Sequence, residues 1–72
     1  MKSVKLEIFA GSESIVKEIN LDDDKTVRDL LTENGIDEIN EYIVIINGVN
    51  TFDSYILQHG DRVKVFPAMS GG

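Results

Sequence analysis

Cysteine is absent from this sequence of 72 residues. Its absence excludes a disulfide framework, a thiolate zinc site and a cysteine nucleophile. The chain also lacks an apolar run of membrane length, and its first residues lead into an alternating pattern rather than a signal peptide. With 42% hydrophobic and 28% charged residues, the composition indicates one globular domain. We therefore expect a cytoplasmic protein with no membrane partner.

Basic residues are scarce. Seven Lys and Arg stand against 13 Asp and Glu, which gives a net charge of −6. Nucleic-acid binding requires clustered basic side chains, so we expect no nucleic-acid partner. The acidic residues concentrate between Asp22 and Glu41, and this flank either steers a basic partner or simply forms a solvated helix face. The run 22–24 lacks the ligand spacing of a calcium loop, and we predict no metal site.

The first third of the chain predicts a β-hairpin. Val4, Leu6 and Ile8 alternate with residues expected on the other face, as in a half-buried strand. Turn residues follow at 11–14, and apolar residues then return at odd positions, with Lys17 as the exception: Ile15, Ile19 and Leu21.

A helix is predicted to begin after Thr26. Thr26 is a suitable N-cap, and Asp29 lies where a capping box places an acidic residue. The apolar stripe consists of Val27, Leu30 and Leu31, and the dipeptide at 34–35 is a stop signal.

The second half of the chain predicts three further strands. Residues 42–46 are apolar on both faces, which is typical of a strand covered on both sides or largely so. Asn47-Gly48 predicts a tight turn and a short returning strand at 49–51. A loop is then expected to pack its apolar side chains, Phe52, Tyr55, Ile56 and Leu57, against the core. Residues 62–66 form the final strand, which ends at Pro67.

This order of elements predicts an α+β fold. A hairpin, one helix and further strands are typical of the β-grasp, or ubiquitin-like, architecture. Its mixed sheet has four to five strands, the first and last strands lie parallel at the centre, and the main helix packs on one face. We predict a domain at residues 1–67 and a flexible tail at 68–72 that ends in two glycines. A backbone without side chains can enter a narrow channel.

The closing segment carries a family resemblance. Asn47-Gly48, Leu57, the run 60–63 and the run 66–72 resemble the ubiquitin-like sulfur carriers. These carriers include the small subunit of molybdopterin synthase and the thiamine sulfur carrier. The aromatic residue and proline before the diglycine look more like the molybdopterin branch. Ala68 and Met69 depart from that branch, in which a second proline and a valine are common.

The resemblance implies a function for the C-terminus. An E1-like enzyme would use ATP to adenylate the Gly72 carboxylate, and a persulfide donor would convert it to a thiocarboxylate. The sulfur would then pass to an acceptor enzyme, similar to the molybdopterin synthase large subunit or to thiazole synthase. The chain would bind no cofactor and would be a substrate of enzymes rather than an enzyme. Gly71 would allow entry into the activating enzyme's channel.

The partner-binding surface is predicted from alternation and from the tail. Residues 4, 6, 8, 63 and 65 should face the helix, which places Phe9 and Phe66 together on the opposite sheet face beside the tail. Arg62 and Lys64 flank the two rings. Pro67 ends the sheet, and the extended tail residues Met69 and Ser70 would contact the partner.

Other functions stay open at this point. The sulfur acceptor could belong to thiamine thiazole formation, tRNA thiolation or amino-acid biosynthesis. The same activated Gly72 could instead be conjugated to a lysine, as in a protein modifier, or the chain could be a binding module with an incidental tail. His59, the single histidine, precedes a turn without a nucleophile pattern around it, and we expect it to be a loop residue.

Overall fold

A computed structural model describes residues 2–68. Five strands and one α-helix follow the predicted order: β1 (Lys2–Ala10), β2 (Glu13–Leu21), α1 (Val27–Glu33), β3 (Tyr42–Ile46), β4 (Val49–Asn50) and β5 (Arg62–Pro67). A short 3₁₀ helix, Ile39–Glu41, precedes β3. Met69, Ser70, Gly71 and Gly72, for which the sequence predicts a tail, lie outside the described residues.

The strands form one mixed sheet in the order β2-β1-β5-β3-β4. β1 pairs antiparallel with β2 and parallel with β5, and β3 pairs antiparallel with β5 and with β4. The two central strands are therefore the first and the last, as the sequence predicted. This is the β-grasp topology.

The core lies between α1 and one face of the sheet. Even-numbered residues of β1 and odd-numbered residues of β5 point into it, since successive side chains of a strand alternate between faces. Its fully buried side chains are Val4, Leu6, Val27, Leu30, Leu31, Leu57, Val63 and Val65. The predicted inward set of the two central strands is confirmed, although Ile8 at the end of β1 is only half-buried.

The helix begins and ends as predicted. The Thr26 side chain accepts a hydrogen bond from the Asp29 backbone N–H, and the Asp29 carboxylate accepts one from the Thr26 backbone N–H. The hydrogen bond from the Thr26 backbone N–H is the main cause that lowers the pKa of the Asp29 carboxyl group below its usual 3.8. At the other end, Gly35 has a φ of +86°, a conformation that favours glycine and closes the helix C-terminus.

The long connection from β4 to β5 holds the start of the helix. Its carbonyl groups at Asp53 and Tyr55 accept the backbone N–H groups of Arg28 and Val27, which have no partner within the helix. Leu57 is buried as predicted, whereas Phe52 is 83% exposed and Ile56 is 48% exposed. The prediction that both pack against the core is wrong, because the backbone of this loop, rather than all of its apolar side chains, docks on α1.

Asp61 organises the end of the sheet at which β5 begins. It is 5% exposed, and its carboxylate accepts hydrogen bonds from the Asn47 side chain (2.9 Å), the Tyr55 hydroxyl (3.0 Å) and the Gln58 backbone N–H (2.8 Å). Burial, followed by the hydrogen bond to Asp61, raises the pKa of the Tyr55 hydroxyl above its usual 10.0. One carboxylate thus joins the β3–β4 turn, the long connection and β5.

Candidate functional site at the C-terminal end of the sheet

The end of β5 fixes the point at which the tail leaves the domain. Pro67 is the last residue of the strand and lies opposite Tyr42 of β3. Ala68 donates its backbone N–H to the carbonyl oxygen of Glu41 at 2.7 Å. The base of the tail is therefore tied to the corner formed by the 3₁₀ helix. The predicted roles of residues 69–72 lie outside the described residues and stay predictions.

Two aromatic rings lie beside this tail base on the sheet face that α1 does not cover. Phe9 of β1 and Phe66 of β5 stack with their ring centroids 4.5 Å apart and their planes 10° apart. The parallel register, in which Ile8 lies opposite Val65, brings them to the same end of the sheet. The sequence predicted this juxtaposition, and the structure confirms it. Both rings remain partly exposed.

Ile43 extends the aromatic pair and was missed in the sequence. It lies directly opposite Phe66 in the antiparallel register of β3 and β5, and it is 42% exposed. The prediction that β3 is covered on both sides or largely so is therefore wrong at Ile43, because a single helix covers only one face of the sheet. The signal was present: with Val44 and Ile46 directed into the core, Ile43 must occupy the outer face. We call Phe9, Phe66 and Ile43 the apolar row.

Positive charge lies next to the apolar row on the same face. Arg62 and Lys64 alternate with the buried residues of β5, as predicted, and are exposed. Lys5, which the sequence analysis did not select, is the register partner of Arg62, whereas Glu7 is the partner of Lys64. The ion pairs formed within residues 2–68 join Lys2 to Asp24, Lys25 to Glu33 and Arg28 to Asp53, so they use none of these cations.

A shallow groove lies between these charged side chains and Val16 of β2. It has a volume of about 320 Å³ and is lined by Lys5, Glu7, Val16, Arg62, Val63 and Lys64. A larger groove of about 540 Å³ lies at the opposite end of the sheet, where Val49 and Phe52 line it. That second groove is remote from the tail base, and we assign it no part in the candidate site.

His59 is a loop residue, as predicted. Its Nδ1 accepts the backbone N–H of Ser3 at 3.1 Å, which ties the loop before β5 to the start of β1. Among residues 2–68, no three His, Cys, Asp or Glu side chains are grouped so that they could hold a metal ion. Within the same part of the chain, no helix is long and apolar enough to cross a membrane.

Comparison with known proteins identifies the family. The model of the ThiS family matches residues 6–72, which is nearly the whole chain and includes its last residue. The chain belongs to the ThiS family. No curated protein is similar enough to this chain to count as a match.

Several solved structures have a fold similar to that of the chain. The chain is 26% identical to a putative molybdopterin converting factor, subunit 1, from Pyrococcus furiosus, with a TM-score of 0.66 over 93% of this chain and 98% of that one. It is likewise 26% identical to the HVO 2177 protein of Haloferax volcanii, with a TM-score of 0.61 over 99% and 87% of the two chains. SAMP1 from Haloferax volcanii is 23% identical, with a TM-score of 0.66 over 97% and 99%, and shows the fold alone.

These findings confirm the resemblance on which the sequence analysis relied. The ThiS-family match and the likeness to a molybdopterin converting factor subunit establish a ubiquitin-like sulfur carrier fold. The β-grasp prediction is confirmed by the strand order and by these neighbours.

Proposed function

We propose that this chain is a sulfur carrier that holds sulfur on the carboxyl group of Gly72. The observation that carries the proposal is the family match, which runs through Gly71 and Gly72 to the end of the chain. The fold supports it, because the described domain ends at Pro67 and Ala68 is tied to Glu41, so that the diglycine follows at a defined edge.

The chemistry follows from the reactivity of a carboxylate. A carboxylate is a poor acyl donor because its oxygen is a poor leaving group. Adenylation by an E1-like enzyme converts it to an acyl adenylate and releases pyrophosphate from ATP. The outer sulfur of a protein persulfide then displaces AMP, and a thiol cleaves the resulting sulfur–sulfur bond to leave a thiocarboxylate. The chain is the substrate in these steps, and the partner enzyme binds the ATP.

The uncovered sheet face is the proposed docking surface for the activating enzyme and for the sulfur acceptor. The apolar row supplies partly exposed aromatic and aliphatic area, which is typical of the centre of an interface. Arg62, Lys64 and Lys5 supply charges at its border that can orient an acidic partner. Pro67 starts the tail from a fixed point, and less of the chain must then be ordered on binding. Met69 and Ser70 would contact the partner along its channel.

The proposed sulfur acceptor is a molybdopterin synthase large subunit. Phe66-Pro67 before the diglycine and the likeness to a putative molybdopterin converting factor support this branch. A thiazole synthase-like acceptor is the alternative within the same chemistry. Mixing the thiocarboxylate form with each acceptor enzyme, and measuring sulfur transfer by the mass of the chain, distinguishes the two.

The decisive experiment is the intact mass of the chain purified gently from its own host. A species heavier by the difference between sulfur and oxygen, and captured by a thiol-alkylating reagent, supports the carrier function. Larger conjugates of an otherwise unmodified chain support a protein modifier instead. An unmodified mass without conjugates contradicts both functions.

A truncated chain provides the matched control. The Gly72-deleted chain should fold normally, because the described domain ends before the diglycine, but it should give no ATP-dependent acyl adenylate with an activating enzyme. Adenylation of the truncated chain at the normal rate contradicts the role of Gly72.

A further inference from the structure

The outer edge of β2 is open along its whole length. β2 is the first strand of the sheet order, and within residues 2–68 no strand or loop pairs with its outer side. Such an edge presents unpaired backbone N–H and C=O groups to any strand that approaches. Ile15 and Val16 are 55% and 56% exposed and lie in the first half of this strand. The edge is thus unpaired and carries two exposed apolar side chains.

On the face of β2 that carries Ile15, two charges are arranged symmetrically about this residue. Glu13 lies two residues before Ile15 and Lys17 two residues after it, so all three side chains share one face of the strand. Neither charged side chain takes part in an ion pair within residues 2–68. Lys17 donates a hydrogen bond of 3.3 Å to the Asn34 side chain.

A second copy of the chain fits this pattern. Two identical strands that meet edge to edge and antiparallel are related by a two-fold axis perpendicular to the sheet, which keeps each side chain on its own face. An axis at Ile15 places Ile15 opposite Ile15 of the second copy, and Glu13 opposite Lys17 of the second copy. The charge pair occurs twice by symmetry.

Neighbouring registers lack this complementarity. An axis at Val16 places Lys17 opposite Ile15 of the second copy, and an axis at Lys17 places the two lysines opposite each other. Like charges directly opposite in a sheet are destabilising, and opposite charges are stabilising. We propose that the protein forms a homodimer through antiparallel pairing of its β2 edges, centred on Ile15.

The dimer would join the two sheets into one sheet of ten strands and leave the tail bases free. Each β5 lies two strands from the new interface, and the two-fold axis directs the ends of the two β5 strands in opposite directions. The pairing therefore does not depend on the proposed sulfur chemistry. An experiment that contradicts the homodimer does not contradict the sulfur carrier function, and the reverse also holds.

Charge reversal tests the register with the full chain. The mass measured by light scattering should rise with concentration from 8.0 kDa towards twice that value. Glu13→Lys and Lys17→Glu should each weaken dimerisation roughly tenfold, because two attractive pairs become repulsive. The two variants mixed together should dimerise with each other, and the double variant should recover the wild-type affinity. Glu18→Lys, which changes the same charge on the other face of β2, should have little effect.

A cysteine at the axis provides a second test, since the chain has no cysteine of its own. Ile15→Cys should form a disulfide-linked dimer rapidly on mild oxidation, whereas Asn20→Cys on the same edge should react slowly, because only residue 15 faces its own copy. A mass that stays at 8.0 kDa up to millimolar concentration overturns the proposal. The proposal is also overturned if Glu13→Lys and Lys17→Glu dimerise with the wild-type affinity, or if Ile15→Cys and Asn20→Cys form disulfide-linked dimers at the same rate.

Discussion

The two faces of the sheet are formed by the same strands, but α1 covers only one of them. The face under α1 holds side chains that are almost completely buried, among them Leu6, Leu30 and Val65. The other face carries the partly exposed apolar row and exposed cations such as Arg62 and Lys64. Burial of apolar area drives folding, whereas exposed apolar area with charges at its border is typical of recognition. We therefore expect that substitutions can alter stability and binding separately in this domain.

The largest effect is expected from the covered face. Leu30→Ala removes a fully buried side chain and leaves a cavity, which costs about 2–5 kcal/mol. The whole chain of 72 residues is expected to be stable by only about 4–11 kcal/mol. Urea denaturation followed by circular dichroism measures the loss, and Thr32→Ala on the exposed side of α1 is the matched control. A loss no larger than that of Thr32→Ala contradicts the division between the faces.

The second-largest effect is expected on partner binding, from a substitution on the uncovered face of the sheet. Phe66→Ala removes a ring that stacks on Phe9, which should reduce the affinity for an activating enzyme about tenfold or more. The free energy of unfolding should fall by only about 1 kcal/mol, because the ring is partly exposed in the free protein.

Phe52→Ala serves as the control for this binding prediction. Phe52 is an 83% exposed ring outside the apolar row, so its loss should change neither the affinity nor the stability much. Calorimetry of each variant with the partner measures the difference. Equal loss of affinity in the two variants would show that the apolar row is not the docking surface.

A smaller effect on stability is expected at alkaline pH from Tyr55, which packs against the core. Since the pKa of Tyr55 is raised in the folded state, the protonated hydroxyl is favoured there. Its contribution to stability is complete below the unfolded pKa of about 10 and is lost as the pH rises through the folded pKa. Unfolding free energies measured across this range should fall less steeply for Tyr55→Phe than for the wild type. The pKa of Lys25, raised by its hydrogen bond to Glu33, gives both proteins a common background slope.

The smallest effect on stability is expected at acidic pH from Asp29, which caps the start of α1. The pKa of Asp29 is lowered, mainly by the backbone hydrogen bond from Thr26, so its contribution is present above the unfolded pKa and is lost as the pH falls through the folded pKa. The free energy of unfolding of Asp29→Asn should therefore fall less steeply than that of the wild type as the pH is lowered. Asp37→Asn, which removes the same charge from the connection after α1, is the control. Identical acid profiles for the two variants contradict the capping role.

Local patterns predicted those parts of the fold in which neighbours in sequence are also neighbours in space. The Thr26–Asp29 capping box spans four residues, and the Asn47-Gly48 turn shows the positive φ values of 53° and 84° that its residues favour. Alternation in β1 and β5 predicted the sheet face on which Phe9 and Phe66 each lie. In each case the geometry follows from the backbone period or from one turn.

Other features depended on residues far apart in the sequence. Asp61 resembled an ordinary turn residue, yet it is buried because its hydrogen-bond donors come from Asn47, Tyr55 and Gln58, which only the folded chain brings together. The exposure of Ile43 depended on whether a second element covers the outer face of the sheet, and within residues 2–68 none does. An apolar side chain predicts burial only when something is available to cover it.

The sequence by itself determined the order of the elements, the inward and outward faces of the central strands, and the diglycine end on which the proposed function rests. These follow from periodicity, turn chemistry and chain composition, which are local properties. Only the tertiary structure decided that, within residues 2–68, one face of the sheet stays uncovered and the outer edge of β2 stays unpaired, and that Ala68 donates a hydrogen bond to Glu41. Such features depend on which distant segments of the chain pack together. A local sequence pattern does not show whether another segment will cover a given strand or sheet face.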